Sequence, residues 1–64
     1  MKIMGQGEIT EYVKLLTPGT KVDILGHSKL FDEYLVRAKG TQCAYWYPST
    51  AVRVMEMEDE DETK

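Results

Sequence analysis

The side chains with the most chemical reach are His27 and Cys43, the only histidine and the only cysteine of the chain. A thiol activated by an imidazole is a nucleophile for acyl transfer, provided the two lie within hydrogen-bond reach. His27 falls in a polar break, residues 26–29. Cys43 falls on a segment whose alternation turns it inward beside Tyr45, where a thiol behaves as a small hydrophobe. Asp32 and Glu33 are adjacent and project to opposite faces of an extended chain, so they form neither an acid–base couple nor a metal pair. One thiol and one imidazole are too few for a structural zinc site. Gly5 and Gly7 match no phosphate-binding fingerprint. The expectation is a protein that is not an enzyme and holds no metal and no cofactor.

Composition narrows the class. Sixty-four residues make one domain, near the lower limit at which a core holds without staples. At 42% apolar residues the chain is ordinary globular material. A single cysteine excludes an intramolecular disulfide and suits a reducing, cytoplasmic setting. No apolar signal core opens the sequence, and no run approaches the roughly 18 apolar residues that cross a membrane. The net charge of -3 is unevenly spread. Residues 56–64 hold six acids and one base, so the preceding 55 residues carry an excess of two positive charges. A near-neutral body with an acidic tail is expected, the tail disordered because it has no apolar residue beyond Met57 and repels itself.

Whatever the chain does must be positioned by small elements. Residues 1–7 read as a loose lead-in. Over residues 8–16, Ile9, Tyr12, Val13 and Leu16 fall at i, i+3, i+4 and i+7, which predicts a short docked helix. Thr17-Pro18-Gly19-Thr20 stops it with the residues of a type II turn. From Lys21 the period becomes two, predicting a strand with Val22 and Ile24 on one side. A second extended segment follows from Leu30 or Phe31 and puts Tyr34, Val36 and Ala38 on one face. Gly40-Thr41 turns the chain into a third, residues 42–47, with Cys43, Tyr45 and Tyr47 opposite Ala44 and Trp46. Pro48-Ser49-Thr50 makes a short turn, and residues 51–55 close the sheet with Val52 and Val54 inward. Strands this close together leave no room for crossover helices, so they must be antiparallel. A sheet this small buries its inner face best by curling into a barrel. The domain is thus expected to span residues 8–55 and the tail residues 56–64.

Residues 34–54 resemble the second half of an SH3-type domain, through Ala38, Gly40, Trp46, Tyr47, Pro48, Ser49 and Val52 in that order. The resemblance implies a mainly β, SH3-like small antiparallel barrel and keeps bacterial SH3-like, KOW-like and Tudor-like relatives in view. The position of the family's peptide-gripping tryptophan holds Leu35, and the position of the tyrosine after Pro-Ser holds Ala51. Recognition of proline-rich peptides is therefore not carried over.

If the inward residues fill such a barrel, Leu25, Leu35 and Trp46 point out of it. An apolar patch of that kind is either covered by the helix of residues 8–16 or left open for a partner. Tryptophan is enriched among residues that dominate binding energy. The expected partner-binding surface is Trp46, Leu35, Arg37, Pro48, Ala51 and Arg53, docking a protein in the manner of an adaptor or of a bacterial or phage accessory factor. The alternative partner is nucleic acid, met either by Lys21, Lys29, Arg37, Lys39 and Arg53 with the aromatic triplet, or mimicked by the acidic tail.

Overall fold

The computed structural model describes residues 3–57. It contains five strands, β1 (Gly5–Ile9), β2 (Lys21–Ser28), β3 (Glu33–Ala38), β4 (Ala44–Pro48) and β5 (Val52–Met57), with one 3₁₀ turn (Ser49–Ala51) between the last two. They form a single antiparallel sheet in the order β4-β3-β2-β1-β5. The sheet is not closed, so β4 and β5 are its edges. The expected acidic tail, apart from its first two residues, lies outside the described residues.

The helix expected over residues 8–16 is absent, and the lead-in expected over residues 1–7 contains a strand. The two corrections have one cause. A helix of that length is not self-sustaining, whereas residues 5–9 gain hydrogen-bonded neighbours on both sides, β2 and β5. Such close pairing needs the glycines. A Cβ on Gly5 would stand 2.3 Å from the carbonyl oxygen of Glu56, and one on Gly7 would stand 2.5 Å from that of Arg53.

Beyond Ile9 the chain runs as a loop that turns on itself, with Val13 bridged to Leu16. Leu15 occupies the left-handed region at φ 76°. Pro18-Gly19 behaves as expected: Gly19 has φ 93°, and the Thr20 N–H donates to the Thr17 carbonyl at 3.2 Å. The apolar residues behind the helical spacing still face the core, by another route. Ile9 is buried in β1, and Val13 and Leu16 pack on the core from the loop, while Tyr12 stands in solvent.

The core consists of Ile9, Val22, Ile24, Val36, Tyr47 and Val52, with Tyr34 packed against it. The period-two reading of β2, β3 and β4 holds there. It fails at two residues. Between Ile24 and Gly26 the register with β3 shifts, and Leu25, expected outside, is buried. A bulge inserts one residue and so resets the alternation. Val54, expected inside, keeps regular register with Gly7 but is exposed on the edge strand β5.

Candidate functional site

The edge strand β4 carries the densest aromatic stretch of the chain, Tyr45-Trp46-Tyr47, and the pleat divides it between two faces. Tyr47 faces inward, is buried, and donates its hydroxyl to the carbonyl of Lys14. That bond fastens the loop of residues 10–20 to the sheet. Burial, and then the neighbouring Tyr45, push the Tyr47 phenol above its ordinary pKa. Tyr45 lies at the open end of the same face, its ring centroid 6.1 Å from that of Tyr47. A hydrogen bond with Cys43 raises the Tyr45 phenol too.

Trp46 takes the outer face, opposite Leu35 of β3. Its ring crosses β3 as far as Gly26 on β2, where a Cβ would meet Trp46 Cη2 at 3.7 Å and Leu35 Cβ at 3.5 Å. The indole is nevertheless 49% exposed. No helix covers it.

Two depressions flank the β4 edge, and Trp46 lines both. One, of about 420 Å³, lies between β4 and the loop and is bounded by Val13, Lys14 and Leu15 across from Tyr45, Tyr47 and Pro48. The other, of about 340 Å³, is bounded by Ser28, Phe31 and Glu33. Phe31 stands exposed at the tip of the β2–β3 turn, where its N–H donates to Ser28 Oγ at 3.2 Å. The Ser49 N–H donates to the Asp32 carbonyl at 2.9 Å and ties that turn to the end of β4. This bond also sets the hydrogen-bonding parity. Tyr47 and Tyr45 turn their main-chain groups to β3, and Trp46 and Ala44 turn theirs to the free edge.

The six residues expected to form one surface are divided by the structure. Trp46, Leu35 and Pro48 come together. Arg37 lies two residues further along β3 and turns to Asp23, 3.3 Å away. Arg53 belongs to the other edge strand and reaches Glu8 at 3.3 Å. Ala51 is buried, at 1% exposure, because the 3₁₀ turn rotates it under the sheet, so it cannot meet a partner. Leu15 and Phe31 are exposed members that strand alternation does not mark, and Tyr45, expected inside with Tyr47, is exposed as well because it lies at the open end of the edge strand. The apolar pair Leu30-Phe31 inside a polar turn was the available signal for one of them.

The remaining chemical candidates lie elsewhere. His27 is on β2, stacked on Tyr34 at 4.7 Å. Cys43 is exposed in the loop before β4, not inside the sheet as the alternation suggested. The rung of His27 meets β4 at Tyr47. Cys43 is therefore about 14 Å along the strand from it and two strand spacings of about 4.8 Å across. The two are not brought together. Among the described residues no three His, Cys, Asp or Glu side chains gather as metal ligands, and no helix is long and apolar enough to cross a membrane.

On the outer face the charges sit in two clusters. Asp23 accepts from Lys39 Nζ at 2.6 Å and from Arg37 at 3.3 Å. The hydrogen bond from Lys39 is the main cause that holds the Asp23 carboxyl below its ordinary pKa, against the opposing effect of burial. Glu8 lies between Arg53 at 3.3 Å and Lys21 at 3.7 Å. No family model, curated protein or solved structure matches the chain.

Proposed function

We propose that this chain is an SH3-like small barrel that acts as a non-catalytic protein-interaction module, docking a protein partner at the β4 edge. The SH3-like reading is supported by the strand order, with β1 between β2 and β5 and a 3₁₀ turn before the last strand. The docking reading rests on one observation: Trp46, half exposed, lines two apolar depressions at once. An exposed indole on a rigid strand, with unpaired main-chain groups beside it, can anchor a partner by burial and by strand addition. Leu35 and Pro48 shape the anchor. Arg37 contributes at the margin, and Arg53 lies outside this surface.

Nucleic acid is the second reading, favoured by Lys21, Lys39, Arg37 and Arg53 standing over two acids on the outer face. A KOW-like or Tudor-like barrel would use such a face. The two readings part on salt. Binding through phosphate contacts weakens steeply as salt rises, because counterions are released. Binding through an apolar patch does not. The test is capture from native cell extract by the immobilised full chain and by Trp46→Ala, at low and high salt, with both proteins checked for equal thermal stability. Protein capture that survives salt and is lost in the variant is the expected result. Equal capture by a folded Trp46→Ala overturns the surface. Capture of nucleic acid that vanishes with salt favours the second reading.

A further inference from the structure

The two edges of the sheet differ in how they are guarded against further pairing. Charges and bulges along an edge discourage the addition of another strand. Strand β5 has both: it carries Arg53 and Glu56, and Met55 has no partner between the rungs Gln6–Glu56 and Gly7–Val54. Strand β4, Ala-Tyr-Trp-Tyr-Pro, carries no charge and keeps an unbroken register with β3. Its proline stands last, so Ala44 and Trp46 keep both the N–H and the carbonyl that they turn outward.

This edge is complementary to itself. When two copies of β4 pair antiparallel about a two-fold axis at Tyr45, Ala44 of each lies opposite Trp46 of the other. These rungs exchange N–H and carbonyl in both directions, so no outward group of either residue is left over. Pro48, which has no N–H to give, falls beyond them. An axis at Trp46 would instead set Pro48 against Ala44 and leave the Ala44 carbonyl without a donor. Side-chain size selects the same register. On the outer face the indole of Trp46 meets the methyl of Ala44, which leaves it room. On the inner face Tyr45 meets its own copy at the closer spacing of a non-hydrogen-bonded rung, where an aromatic pair adds to sheet stability. Leu15, exposed in the loop beside Tyr45, extends that apolar contact.

Charge agrees. On the outer face the rung at the Ala44 end of β4 carries Arg37, and the rung at the Pro48 end carries Glu33. Lys39 lies near the first end and Asp32 next to the second. An antiparallel two-fold brings the basic end of each copy towards the acidic end of the other. Lys14 stands away from this row, on the inner side against Tyr47.

From this complementarity of main chain, shape and charge we infer that the β4 edge takes a second copy of this chain, by antiparallel β4–β4 pairing about a two-fold axis at Tyr45. The inference rests on the reading of β4 as the docking edge and names its occupant.

The test is sedimentation of the full chain from micromolar to millimolar concentration, with reductant present so that Cys43 cannot link copies. The expected result is a rise from the 7.3 kDa of one chain to twice that mass. Hydrogen exchange at the Ala44 and Trp46 amides should slow as the mass rises. Ala44→Pro removes one outward N–H and none of the bonds to β3, a place where an edge strand accepts proline. It should remain folded and monomeric. Tyr45→Lys and Tyr45→Glu should each be monomeric alone, because each sets like charges together on the axis. Mixing the two should restore a dimer, and this pair decides the matter even if Ala44→Pro fails to fold. A parent chain that stays monomeric throughout overturns the inference, as does a dimer that persists in either Tyr45 variant alone or a mixture that does not pair. If the parent is monomeric yet Trp46→Ala still loses capture from extract, the docking edge stands and its occupant is a different protein.

Discussion

Gly7 lies so close to Arg53 that a Cβ on it would stand 2.5 Å from the Arg53 carbonyl oxygen. The neighbour is main chain, which cannot swing aside. Gly7→Ala should therefore push β1 away from β5 and cost more than about 2 kcal/mol, in the class of severe backbone effects. Urea unfolding of the variant checks this. A midpoint equal to that of the parent would mean that the pairing has slack the geometry does not show. The exposed Gly19 and Gly40 give the contrast, since a Cβ there meets nothing within 4 Å and only the positive φ penalises it.

The same glycine explains where the sequence was legible and where it was not. Strands β2, β3 and β4 show in their alternation of side-chain types, with Val22, Ile24, Val36 and Tyr47 on the core side, although β2 is buried on both faces from Val22 to Leu25. Strand β1 does not show. Gly5-Gln6-Gly7-Glu8 has almost no apolar content, and its role comes from what it lacks, a Cβ that would block β5. The helical spacing of Ile9, Val13 and Leu16 was a true burial signal attached to the wrong backbone. Leu25 is buried by a bulge and Val54 is exposed on an edge strand, and alternation reveals neither. At the candidate site, Trp46, Leu35 and Pro48 could be read from strand parity. Leu15 and Phe31 could not, because their exposure depends on turn geometry.

Asp23 should govern acid stability. Its carboxyl is held below the ordinary value of 3.8, chiefly by the hydrogen bond from Lys39. A carboxyl whose folded pKa is lowered stabilises the fold fully above its unfolded pKa and loses that contribution as pH falls through the folded value. Stability should be flat near pH 6 and decline below about pH 4. Asp23→Asn should lower stability at pH 6 by about 1–2 kcal/mol and flatten the acid limb. Thermal melts across that range decide it, and an unchanged acid limb would show that another carboxyl is responsible.

Tyr47 makes the opposite case at alkaline pH. Its phenol is raised by burial and by Tyr45, so the folded state favours the neutral form. That contribution is complete below the ordinary value of 10.0 and is withdrawn as pH rises through the folded value. Tyr47→Phe removes the donor to the Lys14 carbonyl and should cost about 1 kcal/mol at neutral pH. It should also make the protein less sensitive to base than the parent. Cleavage after Lys14 by trypsin should speed up, since the loop loses its fastening to the sheet.

Leu15 offers a way to separate stability from docking. It holds φ 76°, a conformation that costs an L-residue with a side chain about 1–2 kcal/mol, and it keeps an apolar side chain exposed against the groove beside Trp46. Strain combined with exposed apolar surface is a pattern retained at functional sites rather than for the fold. Leu15→Gly relieves the strain, offset in part by the greater freedom of glycine in the unfolded chain. The variant should be as stable as the parent or more so, by up to about 1 kcal/mol, and Leu15→Ala, which keeps the strain, should not gain. If the β4 edge is the docking surface, both variants should lose partner capture despite intact folds. Variants that dock as well as the parent would exclude the loop side of the groove and leave the Phe31 side as the only flank on which Trp46 could work.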